Sequence, residues 1–462
     1  MTHTTTYAGF LIILVALSLL SCVDLPAPAF YRGVTLDSGS PAVPGDLVEA
    51  ATERSIPSGN AQLILTEASP LLIGTQIRMD VLEKAGYAAW RSSRLNTLCD
   101  VQPVHIAFRA RLPQGGSELQ SGTIFLPTAR SGRTQELTWL IFAKGTELRR
   151  EYTPSRGKGA EMPFIIMAAA LGYAVWVPDY SGMGDGAGVQ EYCVADSLAD
   201  SALDGFVAAR QWLEQVTVDG VSPYGENGRL AIIGYSEGGL TVMGALKAIA
   251  DQRIPIPGLR LTAVYPMGAP LNLALGSDED GAIPRVLRHP EYQVLLALGW
   301  SHVYSEKLKL TDVLLTRTID TIVPLFDGTR SDKDLNQQIA KIMGKKAGAV
   351  TDSDIFTPEY LEVLRRAPMS AAYYRLQEEM RLDRWTPPPG IPIVLAASPT
   401  DDIVPFSNSS NEYNWVKENA PQADVTLVRL ASADHITAGI EAFLFSMVDL
   451  EKREAKLKAG QN

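Results

Sequence analysis

Hydrophobic and polar residues alternate along Val104–Leu112 (VHIAFRARL) and again over Gln120–Pro127, with an LPQGGSE turn between the two runs. A period of two with a glycine-rich connection predicts a half-buried β-hairpin. Beyond it the pattern changes. Short apolar runs at Leu137–Ala143 (LTWLIFA), Ala174–Pro178 (AVWVP), Arg229–Gly234 (RLAIIG), Leu261–Pro266, Ile391–Ala397 and Asp424–Leu430 read as strands. Continuously apolar runs of this length suit a parallel sheet buried on both faces. Helices are expected near Ile77–Ser92, over Pro163–Leu171 (ended by Gly172), and over the alanine-rich Asp196–Leu213. Two more are expected over Gly238–Ala250 and Ile440–Lys458. Strand and helix in this alternation predict an α/β fold with a mostly parallel sheet. About 120 residues separate the strands at Leu261 and Ile391, far more than the ~15 residues beyond which structureless connections are uncommon. That segment carries its own helical signals (EYQVLLALGWSHVY, KLTDVLLTRTIDTIVPLF, KDLNQQIAKIM, TPEYLEVLRR). A helical cap is therefore expected over 270–390, inserted into a core built from 61–269 and 391–462.

The most apolar run, Phe10–Leu20 (FLIILVALSLL), is too short to span a bilayer as a helix and has the size of a signal-peptide core. Leu19-Leu20-Ser21-Cys22 resembles a bacterial lipobox, although Met1–Gly9 lacks the usual Lys or Arg. The expectation is an exported protein whose residues 1–21 are removed. Cys22 is then a lipidation candidate that would attach the chain to a membrane; an ordinary signal peptide is the alternative. Residues 22–60, rich in Pro, Gly and Ser, read as an irregular N-terminal arm. In an exported chain the two remaining cysteines, Cys99 and Cys193, invite one disulfide, the alternative being two separate buried thiols.

Composition narrows the function classes. At 46% hydrophobic and 20% charged over 462 residues, the chain is too apolar to be disordered. Its 52 acidic and 41 basic residues give a net charge of −11, with no Lys/Arg block, so no nucleic-acid partner is expected. The five histidines (His3, His105, His289, His302, His435) form no close pair and no CxxC occurs, so neither a metal nor a cofactor is expected.

The chemistry concentrates at Gly234-Tyr235-Ser236-Glu237-Gly238, a G-x-S-x-G pattern placed between an apolar strand and a helix (GLTVMGALKAIA). A sharp strand-to-helix turn lifts the serine hydroxyl clear of the sheet, and side chains at either glycine would crowd the neighbouring backbone. A serine hydroxyl is a weak nucleophile and needs a general base. Folds built on this elbow order their partners Ser, then Asp or Glu, then His. Of the histidines after Ser236, His289 and His302 fall inside the expected cap. His435 follows the last predicted strand, on the loop of Ser432-Ala433-Asp434-His435. The acid belongs on the loop after the Ile391 strand, where Asp401 and Asp402 compete. Asp401 is favoured, being nearer the strand end and in D-x-x-V-P spacing. Asp434 is a weaker rival because it adjoins the histidine. A developing oxyanion needs two preorganised donors. The backbone N–H of Glu237 is one candidate, and that of Thr146, or of Gly145 beside it in Lys144-Gly145-Thr146, is the other. The Glu237 side chain is expected to serve the helix dipole.

These residues resemble the secretory lipase family of α/β-hydrolases, the lipase A-like branch that includes bacterial exported esterases. The resemblance rests on Phe30-Tyr31 and PGD at Pro44–Asp46, SGTIFLP at Ser121–Pro127 and KGT at Lys144–Thr146. It continues through PDYSGMG at Pro178–Gly184, ADSALDGFVAAR at Ala199–Arg210, GYSEGG at Gly234–Gly239, YPMGAP at Tyr265–Pro270 and DDIVP before His435. It implies an α/β-hydrolase core with an arm packed against it and a helical cap that shapes an acyl pocket. Two departures stand out: Lys144 where relatives often carry histidine, and Ala397-Ser398 in place of His-Gly before the acid. The expected activity is cleavage of small-molecule or lipid carboxylic esters through an acyl-enzyme on Ser236, with lipase and short-chain esterase both open. The alternatives are a serine peptidase and a catalytically idle surface-binding protein on the same fold.

Overall fold

The structure is a computed structural model that describes residues 43–62, 65, 80–128, 134–217, 220–273, 285–366 and 371–460. The expected signal peptide, Cys22 and most of the arm lie outside the described residues.

Nine strands of the described residues form one sheet: β1 (Leu47–Thr52), β2 (Val101–Arg111), β3 (Ser117–Pro127), β4 (Gln135–Ala143), β5 (Tyr173–Pro178), β6 (Tyr224–Tyr235), β7 (Arg260–Met267), β8 (Ile393–Ala397) and β9 (Val425–Arg429). Their order is β1-β2-β3-β5-β4-β6-β7-β8-β9. The pairs from β1 to β5 through β2 and β3 are antiparallel, and every pair from β5 onward is parallel. β1 falls in the segment expected to be irregular. It is an edge strand that pairs only with β2.

Strand alternation divides the core. Trp139, Ile141 and Ala143 of β4 pack on one face, and Leu140 and Phe142 on the other. Helices α1 (Asp80–Lys84), α2 (Tyr87–Arg94) and α3 (Met162–Ala170) cover the second face. Helices α4 (Ala195–Gln215) and α5 (Glu237–Ala250) cover the first. Between β7 and β8 the chain leaves the sheet through α6 (Pro290–Val303), α7 (Asp332–Ile342), α8 (Pro358–Arg366), α9 (Ala372–Met380) and shorter helical turns. This insertion has its own core around Trp300, Tyr360, Tyr373 and Leu376. After β8, α10 (Ser407–Asn419) packs on the first face, and α11 (His435–Ala459) closes the second. Among the described residues no helix is long and apolar enough to cross a membrane.

Of the two alternatives for the cysteines, the structure has the second: Cys99 and Cys193 are both free thiols. The sheet stands between them. Cys193 is buried in the first-face core, whereas the Cys99 N–H donates to the Ala170 carbonyl at the end of α3, on the other face.

Candidate active site

β6 ends at Tyr235 and α5 begins at Glu237, leaving Ser236 alone on the turn at φ 59° and ψ −125°. A positive φ on a residue with a β-carbon costs on the order of 1–3 kcal/mol and persists only where the surroundings enforce it. Here they do. A β-carbon at Gly234 would lie 2.2 Å from the Gly238 carbonyl oxygen, and one at Gly238 would lie 2.1 Å from that of Ala143. The turn therefore closes on glycine at both positions. The Ser236 N–H donates to the Met267 carbonyl (2.9 Å), which ties the elbow to β7.

The structure brings Ser236, His435 and Asp401 together. His435 Nε2 lies 2.9 Å from Ser236 Oγ, and its Nδ1 lies 2.7 Å from Asp401 Oδ2. A carboxylate only accepts, so the shared hydrogen sits on Nδ1 and the lone pair of Nε2 faces the hydroxyl. Both partners are shielded from water, with the histidine side chain 5% exposed and the Asp401 carboxyl 0%. His435 was expected on a loop; it is instead the first residue of α11. Asp434 makes the difference by capping that helix, its carboxylate accepting from the Thr437 N–H (3.0 Å).

The two competing aspartates separate by contact. Asp401 Oδ1 accepts from the N–H groups of Ile403 (2.9 Å) and Val404 (2.8 Å), and this turn aims its second oxygen at the ring. Asp402 instead accepts from the His435 backbone N–H (3.1 Å) and pairs with Arg288 (3.1 Å). The remaining described histidines are held elsewhere: His105 by Asp185 (2.8 Å), His289 by Glu291 (2.9 Å), and His302 at 3.7 Å from Glu191.

Tyr235 was not singled out from the sequence. Strand alternation turns its ring toward α11, where it packs 4.9 Å from the His435 ring and donates to the His435 carbonyl (2.8 Å). Burial, reinforced by the nearby Asp401 charge, pushes its hydroxyl well above the usual phenol range. Its place directly before the serine was the one signal in the sequence.

For the oxyanion donors, the Glu237 N–H opens α5 and is one of the helix's orphan amides. The Gly145 N–H is taken, donating to Glu161 Oε1 (2.9 Å). Thr146 lines the cavity at Ser236, with its hydroxyl donating to the Tyr192 oxygen at 3.3 Å. The Glu237 side chain does not sit at a solvated helix end. It is buried behind the elbow, accepts from the Cys193 N–H (3.4 Å), and is pushed up to about 7 by burial, against the pull of Lys144. Lys144 is itself buried, its Nζ 4.4 Å from the centre of the Tyr180 ring.

Ser236 opens into a cavity of about 920 Å³ between the sheet edge and the insertion. Phe164, Ile440 and Phe443 line it from the core, and Leu296, Phe356, Tyr360 and Leu361 from the insertion. The apolar stretches read as cap helices divide: Val294, Leu295 and Trp300 are buried packing, while Leu296 faces the cavity. Among the described residues no cluster of His, Cys, Asp and Glu could hold a metal ion.

No family model and no curated protein sequence matches the chain. Solved structures do. The rice cell wall degrading esterase LipA from Xanthomonas oryzae superposes with a TM-score of 0.65 at 18% identity, over 89% of this chain and 97% of that one. A protein from Legionella pneumophila with a provisional hydrolase assignment gives 0.68 at 20% identity, over 88% and 98%. Candida antarctica lipase A in its closed state gives 0.56 at 16% identity, over 91% and 87%. The chain has the α/β-hydrolase fold.

Proposed function

We propose that this protein is an exported serine hydrolase of the secretory lipase kind, cleaving carboxylic esters through an acyl-enzyme. The observation that carries this reading is the unbroken Ser236–His435–Asp401 hydrogen-bond chain opening into a largely apolar cavity. His435 Nε2 takes the Ser236 proton as Oγ attacks the ester carbonyl carbon. Asp401 holds the ring's tautomer and stabilises the imidazolium without taking the proton. The tetrahedral oxyanion is met by the N–H groups of Glu237 and Thr146. As the intermediate collapses, the imidazolium protonates the departing alcohol. Water, deprotonated by the same histidine, then releases the acid and restores the serine. The esterase and lipase among the solved relatives support ester substrates. Phe10–Leu20 and Cys22 support export with a lipid anchor at that cysteine.

Nitrophenyl esters from acetyl to palmitoyl, assayed with the parent chain and Ser236→Ala, test the reading. Turnover that falls by about a thousandfold or more in the variant is expected. A loss of less than about tenfold overturns the assignment of the nucleophile. Hydrolysis of aminoacyl anilides with no ester turnover at any chain length makes the protein a peptidase. Failure of a phosphonate to label Ser236 makes it catalytically idle.

A further inference from the structure

One short segment, Glu191–Cys193, touches both residues whose N–H groups meet the oxyanion in the proposed mechanism. The Thr146 hydroxyl donates to the Tyr192 phenol oxygen (3.3 Å), and the Cys193 N–H donates to Glu237 Oε1 (3.4 Å). Tyr192 and Cys193 line the cavity at Ser236, and the Glu237 side chain is buried behind the elbow. Cys193 has φ 52°, a left-handed backbone that a residue with a β-carbon keeps only where its surroundings enforce it.

The enforcement comes from two sides. Glu237 holds the Cys193 N–H, and from the insertion the Trp300 indole N–H on α6 donates to the Cys193 carbonyl (3.3 Å). The same helix grips the rest of the segment. A β-carbon at Gly299 would lie 2.7 Å from the Tyr192 nitrogen, so α6 packs there against bare backbone. The Tyr292 ring lies 6.4 Å from the Tyr192 ring, and His302 Nε2 lies 3.7 Å from Glu191 Oε1. Glu191 is itself buried and held by the Ser197 hydroxyl. Positions 292, 299 and 302 recur at close to whole turns of a helix with about 3.6 residues per turn, so they share one face of α6.

An oxyanion donor contributes fully only where it is aimed before the charge develops. Thr146 follows β4 on a loop and Glu237 opens α5; side chains of both meet the Glu191–Cys193 segment. We infer that Tyr192 and Cys193 are positioning residues for ester cleavage, holding the Thr146 and Glu237 donors relative to each other and tying both to α6 of the insertion. This rests on the serine-hydrolase reading.

Steady-state kinetics on one nitrophenyl ester, expressed per phosphonate-titrated serine, test it. Tyr192→Phe removes one oxygen and keeps the ring; Trp300→Phe removes the indole donor. Each is expected to lower kcat about tenfold with KM changed by less than about twofold, as for an interaction realised in the transition state. Thr146→Val keeps its backbone N–H and loses the hydroxyl, so it should match Tyr192→Phe. The double variant Tyr192→Phe/Thr146→Val should fall no further than either single one, because the phenol acts through that hydroxyl. A trifluoromethyl ketone, to whose carbonyl carbon Ser236 Oγ adds to form a hemiketal oxyanion, should lose affinity in Tyr192→Phe by the same factor as kcat. A merely structural tyrosine lowers the melting temperature or the titrated fraction and leaves kcat and the ketone affinity at parental values, which overturns the inference. Losses that multiply in the double variant, or that are confined to KM, also overturn it. If Trp300→Phe does not fold, Tyr192→Phe decides alone. An active parent beside variants that match it overturns this inference and leaves the hydrolase reading standing; a parent that neither cleaves an ester nor takes up phosphonate overturns both.

Discussion

Glu412, on α10, carries a pH dependence that can be read without any activity assay. Its side chain is buried, and neither carboxyl oxygen meets a side-chain donor at hydrogen-bond distance among the described residues. Burial pushes it from an ordinary 4.5 up to about 9; the Asp383 charge adds to the rise, and the nearby Trp385 backbone N–H opposes it. Asp383 pairs with Arg381 alongside (2.7 Å). In the folded protein Glu412 therefore keeps a proton through neutral pH, whereas in the unfolded chain it loses that proton near 4.5. The sign follows. A folded pKa raised above the unfolded one contributes stability that is whole below about 4.5 and is lost as pH climbs toward about 9. Inside that window the loss runs at about 1.4 kcal/mol per pH unit, or roughly 2–3 kcal/mol between pH 5.5 and 7.5. Glu412→Gln is neutral in both states and has no such slope. Whatever constant offset the amide introduces, the variant should gain on the parent by that amount over those two units. Denaturant unfolding followed by tryptophan fluorescence at four pH values measures the difference, and every other titrating group cancels between the two chains. Parallel stability curves, agreeing to within about 0.5 kcal/mol across the range, would refute the reasoning that a neutral acid is buried at this position.

Three further outcomes are expected. Asp401→Asn should lower kcat by about 10³–10⁴, while Asp402→Asn, which loses contacts only to a backbone N–H and to Arg288, should cost less than about tenfold; steady-state kinetics on one ester decides, and equal losses would sink the distinction. Gly238→Ala puts a β-carbon 2.1 Å from the Ala143 carbonyl oxygen, so thermal melting should show a destabilisation of about 1–3 kcal/mol or outright insolubility, and an unchanged melting temperature would contradict the elbow geometry. Maleimide added to the denatured protein should label Cys99 and Cys193 equally with and without reductant; a mass shift that needs reductant would restore the disulfide.

Much of this fold was legible in the sequence because parallel strands covered on both faces leave unmistakable apolar runs. RLAIIG and LTWLIFA have nowhere to go but the middle of the sheet, and they became β6 and β4. β1 was not legible: LVEAAT has little β-branched character, and it becomes a strand only because β2 offers an open edge. The helix near Ile77–Ser92 is cut within its described part by Gly86 at φ 77°, a break that periodicity alone does not show. The meeting of Ser236, Asp401 and His435 could be read from chain order, since each follows a strand that ends at the same edge of the sheet. What the sequence hid is the packing behind them. Tyr235 drew no reading, and Glu237 looked like a dipole residue, until tertiary contacts buried both. The choice between a disulfide and separate thiols stayed open for a related reason: spacing along the chain carries no information about which face of a sheet a thiol occupies.

The sheet order also imposes a schedule. Ser236 and His435 are 199 positions apart, and within that span the aspartate lies 34 positions before the histidine. Contacts so distant in sequence form late, because chain closure must precede the reward. β1 to β7 and the strained elbow all precede the insertion in the chain, so the turn is built without any residue that follows it. β8 then docks beside β7, β9 beside β8, and only the start of α11 brings a base to the serine. A hydroxyl without its imidazole is an ordinary alcohol. Until that helix is in place the proposed nucleophile is shaped and still inert, and the last helix arms it.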